Sequence, residues 1–213
     1  MTDVTVIDYD CGNLFSVSRA IEISGKSFEL TSKPEKIACA DRLLLPGVGA
    51  FGSARSALDE RGLIDPIYDF VKTGRPFLGI CLGMQLLFDS SEEFGANEGL
   101  GLISGKVTNI LPYRDDGLHR RIPNIGWRPI KPSSSDRWKS TILSNTLPNS
   151  YMYFVHSFAG VPNFSDDILA VTRYDGIELC AAVSRDNITG VQFHPEKSAE
   201  DGLSLISAFA HGS

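Results

Sequence analysis

The chain has 213 residues, of which 42% are hydrophobic, 22% charged and 9% aromatic. This composition is typical of a globular protein with a sizeable core and excludes disordered or fibrous architectures, while the length favours one α/β domain over residues 1–213. The formal net charge of -6, from 26 acidic and 20 basic residues, argues against a nucleic-acid partner, which requires an excess of basic residues.

The first half of the chain alternates short apolar runs with helical patterns. In chain order, the pattern predicts a strand at 4–8, a helix at 14–25, strands at 28–31 and 42–45, a glycine loop at 46–52, helices over about 54–73, a strand at 76–80 and a helix at 82–88. Strands that alternate with helices in this way predict a mostly parallel sheet covered by helices.

The second half is rich in strands. Strands are predicted at 151–158, 168–174, 178–184 and 188–193, and a helix at 198–211. Residues 114–149 contain many Arg, Pro and Ser residues, so we expect this segment to run over the surface.

The four cysteines form no CxxC pair and lie far apart along the chain. They favour neither a disulfide framework nor a zinc site, and they fit a reducing cytoplasm. The most apolar stretch, residues 76–88, is well short of the roughly 20 residues that cross a bilayer. We therefore expect a cytoplasmic protein with no membrane partner.

Residues 79–83 (GICLG) place Cys81 where a predicted strand turns into a predicted helix. In this G-x-nucleophile-x-G pattern, the glycines remove Cβ atoms that would collide in a tight turn. A helix N-terminus favours the thiolate, and the N–H of Leu82 is available to an oxyanion. The alternative is a small buried apolar cysteine, the common role of free cysteines in apolar runs.

A thiol nucleophile needs a base, and His194 and His156 are the candidates, since His119 and His211 lie in polar or terminal sequence. His194 ends a predicted strand and precedes a proline, which favours an extended backbone. In an extended segment Glu196 lies on the same side and can accept the second N–H of the imidazole. The alternative for residues 194–196 is a surface turn. His156 remains either a competing base or a hydrogen-bonded histidine at the sheet edge.

The glycine loop at 46–52 ends a predicted strand and so shares the carboxyl edge of the sheet with Cys81. Its N–H groups could complete an oxyanion hole. An ordinary tight turn is the alternative, and the loop lacks the GK[ST] ending of a phosphate loop.

Three blocks resemble the class I (triad) glutamine amidotransferases: PGVG at 46–49, GICLGMQ at 79–85 and FHPEKS at 193–198. Within this family the chain looks most like the glutaminase subunits of imidazole glycerol phosphate synthase, because DYDCGNL, GLGLI, PNIGW and YFVHS also match, beginning at residues 8, 99, 123 and 153. The resemblance runs end to end. It implies a three-layer α/β fold, with a mostly parallel open sheet flanked by helices and an added antiparallel strand region.

The resemblance also implies roles for single residues. The implied catalytic triad is Cys81, His194 and Glu196, with oxyanion donors from Gly49 and Leu82. The residues implied to hold glutamine are Gln85, Glu93, His156 and Ser157. The residues implied to contact a partner are Asn13, Trp127, Tyr153 and Lys197.

The activity that the resemblance implies is hydrolysis of glutamine to glutamate and ammonia through a thioester. The ammonia would pass to a partner synthase of the (β/α)8 type in a heterodimer, which forms imidazole glycerol phosphate and AICAR in histidine biosynthesis. No metal or organic cofactor is needed, because an activated thiol and oxyanion donors suffice for amide hydrolysis.

The chain departs from the family pattern near the expected partner. PNIGWR stands at 123–128 where PHMGWN is expected, and Phe158 stands where tyrosine is usual. These departures leave open a paralogous glutaminase subunit that feeds a sugar amidotransferase in surface polysaccharide synthesis. A stand-alone γ-glutamyl hydrolase and a regulatory subunit with a vestigial site also stay open.

Overall fold

Helices and strands alternate along the first half of the chain, and strands dominate the second half. The structure, a computed structural model, describes residues 2–114 and 116–212. The helices are α1 (Leu14–Ile23), α2 (Pro34–Ala38), α3 (Phe51–Glu60), α4 (Ile64–Lys72), α5 (Leu82–Leu86) and α6 (Ala199–His211). The strands are β1 (Val4–Ile7), β2 (Phe28–Thr31), β3 (Leu43–Leu45), β4 (Phe77–Ile80), β5 (Phe88–Ser91), β6 (Asn97–Glu98), β7 (Ile103–Asn109), β8 (Asn124–Pro132), β9 (Tyr151–His156), β10 (Phe158–Pro162), β11 (Ile168–Tyr174), β12 (Ile177–Arg185) and β13 (Ile188–Val191). Within the described ranges, no helix has the length and apolar character needed to span a membrane.

The central sheet has nine strands in the order β2-β1-β3-β4-β13-β12-β11-β8-β9. Pairing is parallel from β2 to β13 and antiparallel from β13 to β9. A smaller sheet has the order β10-β7-β5-β6. The predicted α/β architecture with an added antiparallel region is confirmed. That region is larger than the sequence indicated, since Gly126 and Pro129 weaken the strand signal of β8.

The inner parallel strands of the central sheet are buried on both faces, which explains why β3 and β4 are continuous apolar runs. All four residues of β1 and of β4 are buried. On one face, Val17 and Ile21 of α1 and Leu205 and Phe209 of α6 form one core cluster with the sheet. On the other face, α3, α4 and α5 contribute Phe51, Leu58, Phe70 and Leu86 to a second cluster. The carboxyl edge between these layers carries the loops after β3 and β4.

The expectation that residues 114–149 run over the surface holds for most of the side chains in this segment, which are exposed, but it is wrong for β8 and for a few buried residues. Residue 115 lies outside the described residues, but β8 is a strand of the central sheet. After it, Trp138, Ile142 and Leu143 are buried in the first core cluster. The indole N–H of Trp138 donates to the carbonyl of Leu169 at 2.9 Å. The polar, Ser-rich sequence around these three residues predicts exposure, and for this reason their burial in the core was not expected.

Candidate active site

Cys81 lies at the junction of β4 and α5, in a backbone conformation that residues other than glycine rarely adopt. Its φ of 55° and ψ of -109° turn the chain sharply from strand to helix. Its N–H donates to the carbonyl of Val191 on β13 at 2.7 Å. The elbow predicted from the GICLG sequence is therefore present, and it is held between a paired strand and a helix that fix both of its sides.

The glycines around Cys81 are required by close backbone approaches. A Cβ at Gly79 would lie 2.7 Å from the carbonyl oxygen of Gly83, and a Cβ at Gly83 would run into the carbonyl oxygen of Leu45 at the end of β3. No side chain fits at either position without moving the backbone. The elbow thus depends on both glycines, as its sequence predicts.

His194 and Glu196 form a buried pair beside the elbow. The distance from Nδ1 of His194 to Oε1 of Glu196 is 2.8 Å, and the two side chains are 3% and 1% exposed. The predicted contact is present, but its predicted geometry is wrong. Residues 195–197 form a 3-10 turn instead of continuing the strand, because Pro195 supplies the φ that the first position of such a turn needs.

The environment of His194 makes it a strong proton acceptor. Burial by itself would lower its pKa, but the nearby Cys81 sulfur and the Glu196 carboxylate, which accepts from Nδ1, together raise the pKa to about 10. The sulfur lies close enough to act electrostatically, although the geometry of a full hydrogen bond to Nε2 is not reached within the described part of the chain. Nε2 is therefore free to take a proton from Cys81 and to pass it on.

The second candidate base, His156, is committed to other contacts. Its Nδ1 lies 2.7 Å from the carbonyl oxygen of Phe158, and its Nε2 lies 3.0 Å from Nδ2 of Asn124. Because a carbonyl can only accept, Nδ1 carries the proton and Nε2 accepts from the Asn124 amide. Burial, chiefly, and the neighbouring His194 lower the pKa of His156 to about 4. His156 is thus a neutral ring with both nitrogens occupied.

A cavity of about 390 Å³ opens beside Cys81 at the carboxyl edge of the sheet. The predicted site residues that line it are Gly49, Cys81, Leu82, Gln85, Glu93, His156, Ser157 and His194. Val48, Pro123, Val155 and Phe158 complete its wall. Glu196 lies behind His194 and does not line the cavity. Several segments that are far apart in the chain meet here, which is typical of a site at the carboxyl edge of an α/β sheet.

The glycine loop after β3 is fixed against the elbow. The hydroxyl of Tyr9 donates to the carbonyl of Pro46 at 2.7 Å, and burial raises the pKa of Tyr9 well above its ordinary value. A Cβ at Gly47 would lie 2.6 Å from the Tyr9 hydroxyl and 2.9 Å from Cβ of Leu82. Gly49 has a φ of 104°, which glycine adopts freely. Of the two predicted oxyanion donors, Gly49 therefore lies on this loop and Leu82 begins α5, which packs against it.

Gln85 and Glu93 line the cavity and are fixed by hydrogen bonds to neighbouring residues. Nε2 of Gln85 donates to the carbonyl of Phe158 and to Oε1 of Gln192, both at 3.0 Å. These bonds occupy the amide nitrogen and leave the carbonyl oxygen of Gln85 for a ligand. Oε2 of Glu93 accepts from the N–H of Phe51 at 2.6 Å, at the start of α3. Glu93 thus brings negative charge to a helix N-terminus at the cavity wall.

The predicted partner residues lie outside the cavity. Trp127 is 44% exposed, and its ring meets that of Tyr153 edge to face, with 6.0 Å between centroids. Nζ of Lys197 lies 6.0 Å from the centre of the Tyr153 ring. We call Trp127, Tyr153 and Lys197 the Trp127 patch. Asn13 is separate from it and caps α1, since its Oδ1 accepts from the N–H of Ser16 at 3.4 Å.

Sequence reasoning missed three residues that support the site: Tyr9, Asn124 and Gln192. Asn124 and Gln192 are fully buried, and Nε2 of Gln192 lies 3.8 Å from the Cys81 sulfur. A polar residue between apolar residues of a strand could have indicated burial, as Gln192 does between Val191 and Phe193. The strand pattern alone does not show which groups a buried amide contacts.

The chain is similar to known proteins over nearly its whole length. The family model for glutamine amidotransferase class-I matches residues 6–211. The chain is 48% identical over 210 residues to the imidazole glycerol phosphate synthase subunit HisH 1 of Legionella pneumophila (strain Lens), covering 98% of this chain and 99% of that protein. It is 43% identical to the HisH subunit of Geobacillus thermodenitrificans (strain NG80-2), covering 98% and 95% of the two chains.

Solved structures share the fold at lower identity. A structure of PurLQS from Thermotoga maritima superposes with a TM-score of 0.73 at 20% identity, covering 100% of this chain and 99% of that one. Another, described as a glutamine amidotransferase, has a TM-score of 0.71 at 18% identity and covers 99% of both chains. The family model and the full-length relatives confirm the resemblance found in the sequence, so the chain belongs to the class I glutamine amidotransferase family.

Proposed function

We propose that this chain is the glutaminase subunit of an imidazole glycerol phosphate synthase, hydrolysing glutamine to glutamate and ammonia. The observation that carries the proposal is the position of Cys81, which occupies a strained elbow beside the His194 and Glu196 pair in one cavity. The full-length similarity to subunits of that name supports the assignment.

The first chemical step forms a thioester. The Cys81 sulfur attacks the side-chain amide carbon of glutamine, and the N–H groups of Gly49 and Leu82 stabilise the negative charge on the carbonyl oxygen. His194 takes the thiol proton and delivers it to the amide nitrogen. The carbon–nitrogen bond then breaks, ammonia leaves and the acyl group stays on Cys81.

The second step returns the thiol. Water attacks the thioester carbon while His194 accepts a proton from it, and the same oxyanion donors act again. The carbon–sulfur bond breaks, His194 protonates the sulfur and glutamate leaves. Glu196 keeps the ring of His194 oriented and stabilises its charged form throughout.

The rest of the cavity suits glutamine. The Glu93 carboxylate matches a substrate ammonium group, and the free carbonyl oxygen of Gln85 matches an N–H donor. His156, as a neutral ring, and Ser157 complete the polar wall. In this assignment all four residues bind substrate and take no part in proton transfer.

Ammonia passes to a partner synthase, which we assign to the (β/α)8 type and which forms imidazole glycerol phosphate and AICAR. The Trp127 patch and Asn13 contact that partner in a heterodimer. An exposed tryptophan backed by a second aromatic ring is a common anchor of protein interfaces. We assign the reaction to the cytoplasm, where the cysteines remain reduced.

The decisive experiment compares Cys81→Ala with Cys39→Ala, which removes an exposed thiol that does not line the cavity. Cys81→Ala should abolish glutamate and ammonia release while its thermal unfolding stays close to wild type, since alanine keeps the same backbone strain. Cys39→Ala should keep its activity. Turnover by a folded Cys81→Ala protein would refute the nucleophile assignment.

The partner is tested by adding a purified (β/α)8 cyclase with its nucleotide substrate. AICAR formation that depends on glutamine and on both proteins supports the proposal. Amide transfer to a nucleotide-linked sugar would instead identify the paralogous sugar amidotransferase subunit. Strong glutamine hydrolysis that no synthase changes would identify a stand-alone hydrolase.

A further inference from the structure

Gln192 is a fully buried polar residue with no role in the triad. It follows β13 and lies between Val191 and Phe193, which are also fully buried. Burying a side-chain amide among apolar residues is unfavourable unless its donors and acceptor are bonded. The contacts of this amide therefore indicate what it does.

The orientation of the Gln192 amide follows from its neighbours. The NH₂ group of Gln85 is identified by its bond to the carbonyl of Phe158, which can only accept. The same NH₂ group lies 3.0 Å from Gln192, so the atom of Gln192 on that side is the carbonyl oxygen, Oε1. The NH₂ group of Gln192 is then the end that faces Cys81, at 3.8 Å from the sulfur.

The backbone fixes Gln192 as firmly as its side chain does. Its N–H donates to the carbonyl of Ala181 on β12 at 2.9 Å, and the preceding carbonyl of Val191 accepts from the N–H of Cys81 at 2.7 Å. Main-chain hydrogen bonds therefore fix the strand end at Gln192 next to the elbow at Cys81. A shift of the Gln192 main chain relative to Cys81 would require breaking one of these bonds, while the bond from Gln85 restrains the side-chain amide.

We propose that Gln192 positions the nucleophile: its amide N–H groups stabilise the thiolate form of Cys81, and its carbonyl oxygen links that sulfur to Gln85 of the substrate pocket. This inference rests on the proposed glutaminase function for its meaning in catalysis. An N–H donor favours the thiolate because a negatively charged sulfur is the better acceptor. Because Gln85 donates to Gln192, a ligand bound to Gln85 would also affect the Gln192 amide next to the Cys81 sulfur.

The experiment measures the pH dependence of iodoacetamide alkylation, resolved for each cysteine by mass spectrometry. Gln192→Met keeps the side-chain length but removes the donor and the acceptor. It should raise the pH midpoint for Cys81 by about one unit and lower kcat about tenfold, as expected when one hydrogen bond to a charged group is lost. The exposed Cys39 in the same sample is an internal reference and should not change.

Thr172→Val is the matched control variant. Thr172 is 2% exposed, and its hydroxyl donates to the carbonyl of Pro129 at 2.9 Å, within the central sheet. It loses a buried hydrogen bond as Gln192→Met does, but not one to Cys81. The Cys81 midpoint should stay at the wild-type value in this variant.

An unchanged Cys81 midpoint in folded Gln192→Met would overturn the proposal, and so would an equal change in Thr172→Val. If Gln192→Met does not fold, Gln192→Asn gives the same test, because the shorter amide withdraws its N–H from the sulfur. Alkylation needs no turnover. If Gln192→Met shifts the Cys81 midpoint but the wild-type protein does not hydrolyse glutamine, the proposed function is refuted and the role of Gln192 is not.

Discussion

The amide of Asn124 donates to Nε2 of His156 across the β8 and β9 pair, at 3.0 Å. With Nδ1 bonded to the carbonyl of Phe158, this contact leaves no nitrogen of His156 for a substrate proton. His194, in contrast, has an Nε2 atom with no hydrogen-bond partner among the described residues. The two histidines therefore differ in their ability to accept a further proton, although both line one cavity.

His194→Ala should lower kcat for glutamine hydrolysis by about 100-fold or more, the usual loss for a general acid and base. His156→Ala should keep its activity within about tenfold, because it removes a neutral polar wall residue that makes one or two hydrogen bonds. Steady-state ammonia release measures both effects. The opposite ranking would transfer the role of base to His156.

The buried neutral ring of His156 should make stability depend on pH. Its pKa falls from 6.5 to about 4 on folding, so its neutral form stabilises the fold above pH 6.5, and that contribution, about 3 kcal/mol, is lost as the pH falls through 4. His156→Asn keeps a donor towards Phe158 and has no titrating group. Urea unfolding over this pH range should show a smaller loss of stability in the variant, and parallel curves would contradict the prediction.

Gly83→Ala should destabilise the fold by about 2 kcal/mol or more and reduce activity further, because the new Cβ collides with the carbonyl of Leu45 and displaces the elbow. Gly12→Ala is the control, since the nearest atom to its Cβ would be Cγ of Pro46, at 3.4 Å. Thermal unfolding and glutamine turnover measure both variants. Equal behaviour of the two would show that the elbow tolerates a side chain.

Trp127→Ala should weaken binding to the synthase by about tenfold or more, as expected for a central aromatic anchor. Phe164→Ala removes another exposed aromatic ring, from the segment between β10 and β11, and should bind as wild type does. Isothermal titration calorimetry with the partner gives both affinities. Equal affinity of wild type and Trp127→Ala would place the interface elsewhere.

The sequence predicts the elbow and the His194 contact because each depends on neighbouring residues. The glycines that permit the turn lie within two positions of Cys81, and Glu196 lies two positions from His194. In such short motifs the spacing of the residues largely determines which side chains meet. The 3-10 turn after His194 was nevertheless not expected.

The supporting contacts could not be predicted because their partners are distant in sequence. Gln192 meets Gln85 and Cys81 through the pairing of β13 with β4, and Asn124 meets His156 through the register of β8 with β9. A strand pattern gives burial but not register against a distant strand. Trp138 was missed for another reason, since its polar neighbours indicate a loop while its own side chain is buried.

The parallel pairing of β4 with β13, in which Ile80 lies opposite Val191, has a consequence for synthesis of the chain. The ribosome makes the thiol elbow long before it makes the strand that delivers His194. A nascent chain that ends before β13 carries Cys81 but lacks His194, the proposed base, and Gln192, the proposed amide donor. By the proposed mechanism, release of ammonia from glutamine requires a completed sheet, so we expect unfinished chains not to consume glutamine.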